Sequence, residues 1–577
     1  MNAPWKKLAT LFVIALVLTI GLLSGCRQDT PVADLVLTNG KIVTVDSLMP
    51  EAEALAVAGD TIVALGSSVE MAAYIGPGTQ VIDLDGSLAI PGFIEGHGHY
   101  MGLGRAKMIL DLTKVNNWND IVGMVADAAQ DAESGEWIMG RGWHQEKWDE
   151  VPENSIDGLP THHSLSEVSP DNPVYLTHAS GHASFVNAEA LRRAGISAET
   201  PNPSGGEIVH DFRGEPTGML RETAQGLVGR ARAQAREEMT EEDIEAERRM
   251  QAELAAQEAL SKGITSFQDA GSSFATVDFF KQLADENKLP VRLYVMVRAS
   301  PDQLAEKLPD YHLIGYGDNQ LTVRSIKWSI DGALGSHGAW LLEPYEDMPQ
   351  SAGLNTADPN DIARSAEIAI ENGFQLNVHA IGDRGNREVL NIYETTFATN
   401  PDKQDLRWRI EHAQHLHLDD IPRFGALGVI ASMQGIHCTS DAPWVYKRLG
   451  AQRAEEGAYV WQKLWQSGAV VTNGTDAPVE DVDPIASYYA TVSRKLSDGS
   501  VFFPDQRLGR LEALQSYTLN NAYAAFEEDI KGSLAPGKLA DIVVLSQDIL
   551  TIDEDDIPAT EVLYTIVGGQ IAYQREP

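Results

Sequence analysis

Pro91-Gly92-Phe93-Ile94-Glu95-Gly96-His97-Gly98-His99 reads as an apolar strand that ends in two histidines. Alternate residues of a strand face the same way, so His97 and His99 can aim both imidazoles at one ion. A His-x-His pair alone is weak evidence. Placed after a Pro-Gly entry and an apolar run, it marks a strand end that carries chemistry.

Outward from this stretch, seven more apolar segments follow: Ile264–Gln268, Val291–Val297, Val323–Ile330, Phe374–Val378, Trp408–Ile410, Val429–Met433 and Val470–Asn473, with Ser87–Ile94 as the first of the series. Helical stretches separate most of them. The clearest runs from about Glu241 to Ser261 behind a capping-box-like Thr240-Glu241-Glu242-Asp243. Strands alternating with helices imply a parallel sheet, and a set of eight implies a closed barrel. The expected fold is therefore α/β, a (β/α)8 TIM-like barrel over residues 89–531. The gap after the first strand is too long for one crossover helix. Residues 111–235 are read as an inserted lid subdomain, rich in tryptophan (Trp118, Trp137, Trp143, Trp148), each of which taken singly reads better as insert core.

Both ends of the chain read as short strands. Leu35–Thr38 and Lys41–Val45 flank Asn39-Gly40, a hairpin signal. Thr61–Ala64, Asp541–Leu545, Leu563–Val567 and Gln570–Tyr573 follow, the last two around Gly568-Gly569. Residues 33–88 and 532–575 are expected to form one composite β-sandwich domain, since chain ends often lie close together.

The other barrel strands also end in candidate ligands. Lys327 lies inside the apolar Arg324–Ile330 run, where an amine is costly unless paired or modified. His379 follows Val378, His412 follows Glu411, His437 follows Met433-Gln434, and Asp476 sits in Asn473-Gly474-Thr475-Asp476-Ala477-Pro478. His162, His163, His312, His415 and His417 lie off the strand ends and read as ordinary histidines.

With these residues on the page, the chain resembles the amidohydrolase superfamily, and within it the third amidohydrolase family, which includes N-substituted formamide deformylase. The likeness runs from about residue 33 to 575. It includes Trp137-Ile138-Met139-Gly140-Arg141-Gly142-Trp143, Gly181-His182-Ala183 and Gly532-Ser533-Leu534-Ala535-Pro536-Gly537-Lys538-Leu539-Ala540-Asp541. The resemblance implies two divalent metal ions of zinc type. His97, His99 and Asp476 would hold one and His379 and His412 the other, with a carbamylated Lys327 as the bridge. His144 stands where the family pattern implies Asp. Candidate substrate contacts are His178, His182 and Trp143 of the insert and Arg384 after His379.

The implied activity is hydrolysis of an amide-type C–N bond in a small molecule by metal-activated water. Asp476 would serve as general base and acid, and His437 as the oxyanion donor. A one-metal deaminase or an ester or lactone hydrolase on the same barrel is the alternative, and a non-catalytic ligand-binding lipoprotein is a third reading.

Charge and cysteine content narrow the partners. The net charge of −39 excludes a basic nucleic-acid footprint. It also favours a neutral or cationic substrate through long-range repulsion of anions. Cys26 and Cys438 alone cannot build a disulfide framework or a cysteine-rich zinc site. Lys6-Lys7, the apolar run Leu8–Leu23 and Leu23-Ser24-Gly25-Cys26 read as a signal peptide (1–26) with a lipobox. The expectation is an exported protein anchored to a bacterial lipid bilayer through lipidated Cys26. Arg27 rather than Asp after the cysteine favours the outer membrane.

Overall fold

Eight parallel strands lie side by side in chain order: β1 (Phe93–Gly98), β2 (Ile264–Ser272), β3 (Arg292–Val297), β4 (Leu321–Ser329), β5 (Gln375–Ala380), β6 (Arg409–His412), β7 (Ile430–Gln434) and β8 (Val471–Gly474). The computed structural model describes residues 32–576, apart from 146, 147, 153, 154, 157, 180, 182, 204, 205 and 238. The signal-peptide and Cys26 expectation lies outside these residues. Among them no helix is long and apolar enough to cross a membrane.

Helices between the strands bury their apolar faces on the sheet. The helix Glu241–Ser261 starts at Thr240 with the expected capping box, and buries Ala252, Ala255, Ala256, Ala259 and Leu260. The seam between β1 and β8 is bridged by a side chain. Asn521 Nδ2 donates to Ile94 O at 2.7 Å and to Asn473 O at 2.8 Å. Glu95 Oε1 accepts Thr475 N–H at 2.6 Å across the same seam.

The first strand differs from expectation. Ser87–Ile94 is not one strand: Leu88–Pro91 belongs to a terminal sheet, and the barrel strand starts at Phe93. Gly92 is the crossing point. A Cβ there would lie 2.2 Å from Thr265 Oγ1, so no side chain fits between the two sheets.

The termini build a two-sheet sandwich. One sheet has the order Thr61–Gly66, Ala54–Ala58, Leu35–Thr38, Gln80–Asp83. The other runs Gln570–Gln574, Val562–Val567, Ile542–Leu545, Leu88–Pro91, Lys41–Val43, Glu51–Ala52. Ile542 pairs with Pro91 and Leu545 with Leu88, so the chain's ends share a ladder. Gly568-Gly569 forms the expected hairpin turn, with Val567 opposite Gln570. Asn39-Gly40 does not. Asn39 takes φ 57°, but Leu35–Thr38 and Lys41–Val43 enter different sheets, so the turn carries the chain across the sandwich.

The insert has its own mixed sheet of Leu110–Asp111, Ile138–Trp143, Val174–His178, Ala183–Val186, Pro216–Glu222 and Gly206–His210. Trp118, Trp143 and Phe185 centre its core.

The sandwich meets the bottom of the barrel through a buried ion pair. Arg292, at the start of β3, donates from Nε to Asp541 Oδ2 at 2.8 Å and from Nη2 to Oδ1 at 3.0 Å. Removing one partner of such a pair strands the other charge. Asp541→Ala is expected to cost about 3–5 kcal/mol in urea unfolding. Metal content should stay unchanged, because the pair sits at the end opposite the candidate site.

Candidate metal centre

Every candidate ligand sits at a C-terminal strand end, where barrel enzymes keep their chemistry. β1 carries His97, and His99 follows it at the start of the helix Tyr100–Lys107. Lys327 lies in β4, His379 in β5 and His412 at the end of β6. His437 is in the first turn of the helix Gly435–Gly457 after β7, and Asp476 is two residues beyond β8. Backbone bonds tie the β8 loop to β1. Asp476 N–H is donated to His97 O and His99 N–H to Ala477 O, both at 2.7 Å.

The side chains converge. Asp476 Oδ1 lies 3.2 Å from His99 Nε2 and 3.6 Å from His97 Nε2. Two ligand atoms of a tetrahedral zinc are separated by about 3.3 Å, from Zn–N bonds of about 2.0–2.1 Å, so the spacing fits an ion between them. Ring centroids of His379 and His412 are 4.5 Å apart, and those of His97 and His412 4.7 Å apart. Ligand atoms of His412, His437 and Asp476 also lie within 4.8 Å of one another.

Three of these polar atoms are buried without a hydrogen-bond partner: His379 Nε2, His437 Nε2 and Asp476 Oδ1. Burying polar atoms unpaired is costly, and a cation held by a bare lone pair such as that of Asp476 Oδ1 removes that cost. The donor set, imidazoles with a carboxylate, suits zinc and its neighbours. The residues therefore fit a metal centre.

The supporting shell fixes which nitrogen is free. His97 Nδ1–H is donated to Glu411 Oε2 at 2.5 Å, and Glu411 Oε1 accepts from Arg409 Nε at 2.8 Å. His412 Nδ1–H is donated to Gln434 Oε1 at 2.6 Å, while Gln434 Nε2 donates to Ser432 O at 3.2 Å. The second bond sets the amide's orientation, so both histidines present a bare Nε2. His437 differs: its Nδ1 accepts from Gln414 Nε2 at 3.1 Å, which leaves the hydrogen on Nε2. That tautomer makes His437 a donor into the cluster.

Burial governs the ionisation. It pushes His97 down to about 4, helped by the Lys327 amine and opposed by Glu411. It holds His412 well below the usual imidazole range, with His379 and His97 adding to it. Burial also lowers Lys327 to about 8 against the pull of Glu411 and Asp476. Asp476 goes the other way. Burial would raise it, but the His99 imidazole 3.2 Å away and the neighbouring His97 and His412 hold it well below the carboxylate range.

Glu411, Gln434 and Gln414 were missed as supporting residues. Arg409-x-Glu411 was the available signal, since two opposite charges two apart in an apolar strand point to one interior. Glu411→Gln is expected to weaken metal retention about 10–100-fold, as loss of an outer-shell partner does. Metal titration of the folded variant checks this.

The candidate substrate contacts fare differently. Trp143 is fully buried in the core of the insert, and its indole donates Nε1–H to Leu176 O at 3.0 Å. His178 packs against Trp143 and His144 and donates Nε2–H to Gln145 Oε1 at 3.1 Å. Arg384 is exposed and stacks over Trp340 at 4.5 Å, outside the cluster. His182 is outside the described residues. His415 is buried on Tyr459, and neither ring nitrogen has a hydrogen-bond partner.

The chain is similar to several known proteins. Protein LONG AFTER FAR-RED 3 of Arabidopsis thaliana is 36% identical, over 94% of this chain and 92% of its own length. N-substituted formamide deformylase of Arthrobacter pascens is 26% identical, over 95% of this chain and 99% of its own. The crystal structure of an uncharacterized metal-dependent hydrolase from Pyrococcus horikoshii OT3 superimposes with a TM-score of 0.72. It shares 26% identity and covers 90% of this chain and 99% of that one. Residues 80–573 match the profile described as "Amidohydrolase family", and with strand-end histidines converging on Asp476 the chain belongs to that family and is a metal-dependent hydrolase.

Proposed function

We propose that the protein hydrolyses an amide-type C–N bond of a small molecule with two divalent metals at the barrel mouth. His97, His99 and Asp476 would hold one ion, His379 and His412 the other, and Lys327, as a carbamate, would link them. The observation that carries the reading is Asp476 Oδ1, buried without a hydrogen-bond partner and 3.2 Å from His99 Nε2 and 3.6 Å from His97 Nε2. The name of the Arthrobacter relative, a formamide deformylase, supports the C–N bond as the one cleaved.

A bound divalent ion lowers the pKa of water from 15.7 to about 7 and so supplies a nucleophile at neutral pH. The chain's own groups do the rest. Asp476, held as a carboxylate, accepts the proton of the attacking water and returns it to the leaving nitrogen. His437 donates Nε2–H to the carbonyl oxygen as negative charge grows there. Glu411 keeps His97 in the tautomer that faces the cluster.

One observation favours a one-metal variant: His412, His437 and Asp476 form a ligand-compatible triad of their own. Metal content per chain, measured beside hydrolysis of N-formyl and N-acyl amides, esters and lactones, separates the readings. Two metals with amide turnover supports the proposal. One metal at full activity, or turnover of esters alone, overturns it.

A further inference from the structure

Beside His379 lies a buried carboxylate outside the ligand set, Asp331. It comes two residues after Ser329, the β4 residue paired with His379 of β5. Both of its oxygens accept from backbone. Oδ1 accepts Ile381 N–H at 3.0 Å, and Oδ2 accepts Gly382 N–H at 2.8 Å and Trp340 N–H at 2.9 Å. Ile381 and Gly382 directly follow β5, and Trp340 belongs to the segment that leaves β4. One side chain thus ties together the ends of the two strands that carry Lys327 and His379.

The space around this tie is full. A Cβ on Gly382 would lie 2.1 Å from Trp340 O. A Cβ on Gly385, in the helix Asp383–Thr399, would lie 2.7 Å from Asp331 Oδ2.

The carboxylate lacks a cation. Asp541, Glu411 and Asp420 are likewise buried, and each pairs with an arginine. Among the described residues Asp331 pairs with no lysine or arginine. Its ionisable neighbour is His379, whose Nε2 lies 3.5 Å from Oδ1. That nitrogen is buried and has no hydrogen bond. A bare lone pair on Nε2 would face the lone pairs of the carboxylate and be repelled. The hydrogen of a neutral His379 therefore belongs on Nε2, and its lone pair on Nδ1.

We propose that Asp331 is a positioning residue of the metal centre. It fixes the end of β5 and the tautomer of His379, which then meets its ion through Nδ1. This rests on His379 being a metal ligand. A purely structural tie explains the three backbone bonds but not why a buried carboxylate without a cation faces Nε2.

The test is titration of the metal-depleted full chain with cobalt(II) in bicarbonate buffer, followed by visible absorption. His379→Ala identifies the binding step that belongs to the His379 ion. In Asp331→Asn that step should weaken about 10–100-fold, as loss of an outer-shell partner does. Any step that His379→Ala spares should stay at the wild-type value. The asparagine oxygen can still accept at the Oδ2 position, but its amide then turns an N–H toward Nε2 and draws the hydrogen of His379 to Nδ1. Gly385→Ala keeps Asp331 but crowds its Oδ2, so the same step should weaken there too.

Melting of the metal-depleted proteins separates positioning from scaffold. A lower melting temperature with unchanged cobalt steps would show a scaffold role and overturn the proposal. So would an equal weakening of the steps that His379→Ala spares. If Asp331→Asn does not fold, an unchanged step in Gly385→Ala overturns it. Wild-type cobalt binding in Asp331→Asn beside a deficient His379→Ala overturns this proposal alone. Wild-type binding in His379→Ala removes the ligand itself, and with it both the proposal and the assignment of His379 to a metal.

Discussion

Lys327→Ala is expected to lose at least one metal per chain, and turnover is expected to fall on the order of 10²–10³-fold or more, the scale of removing one preorganised charge-stabilising group. Lys327 is 2% exposed in β4, level with Asn377 of β5 and two residues before the position opposite His379. A bare ammonium there would face cations. Each unit-charge pair at ~4 Å costs about 4 kcal/mol at an effective dielectric of ~20. Reaction of the neutral amine with carbon dioxide forms an N–C bond and releases one proton. The cation becomes an anion with two oxygens, able to reach two ions. Short carboxylic acids such as acetate or propionate should restore part of the activity of Lys327→Ala by filling the space with the same group. Lys327→Arg should stay inactive, because a guanidinium keeps its charge and does not form the carbamate. Metal analysis and activity with and without added acid are the measurements. A Lys327→Ala protein that keeps two metals and full turnover would sink the bridge.

Much of this centre was legible because a barrel puts its chemistry at strand ends, so a ligand after an apolar run announces its place. His97, His379 and His412 could be located from β1, β5 and β6 alone. Sheet membership was harder. Leu88–Pro91 and Phe93–Gly98 look like one strand, and what divides them is Ile542 pairing with Pro91 from the other end of the chain. The hairpin at Asn39-Gly40 failed for the same reason: the turn is local, but the partners of Leu35–Thr38 and Lys41–Val43 are not. The supporting shell was hidden because glutamines give no periodic signal. Nor does a sequence show that His412 and Asp476 take φ values of 75° and 60°. Such left-handed backbone costs about 1–3 kcal/mol at a residue with a side chain and persists where the surroundings over-determine it. At Asp476 the bond from its N–H to His97 O is one such constraint.

That constraint bears on the second large effect, at Asp476 itself. The residue is asked to do two jobs, holding an ion through Oδ1 and carrying a proton between water and the leaving nitrogen. Asp476→Asn separates them. The amide keeps an oxygen of the same size near His97 and His99, so metal should be retained in part. It does not take up the water's proton at neutral pH, so kcat should fall about 10²–10⁴-fold, the contribution of a positioned general base. KM should change much less, because Asp476 is not a binding group in this mechanism. Asp476→Ala removes both roles and should lose metal as well as turnover. His437→Asn offers the contrast. It removes the Nε2–H donor but leaves the proton path intact, so kcat should fall about 10²–10³-fold with no loss of metal. If His437→Asn empties a metal site while Asp476→Asn leaves kcat within a few-fold of wild type, the roles are reversed. His437 would then be a ligand in the His412–His437–Asp476 triad, and the proton would travel by another group.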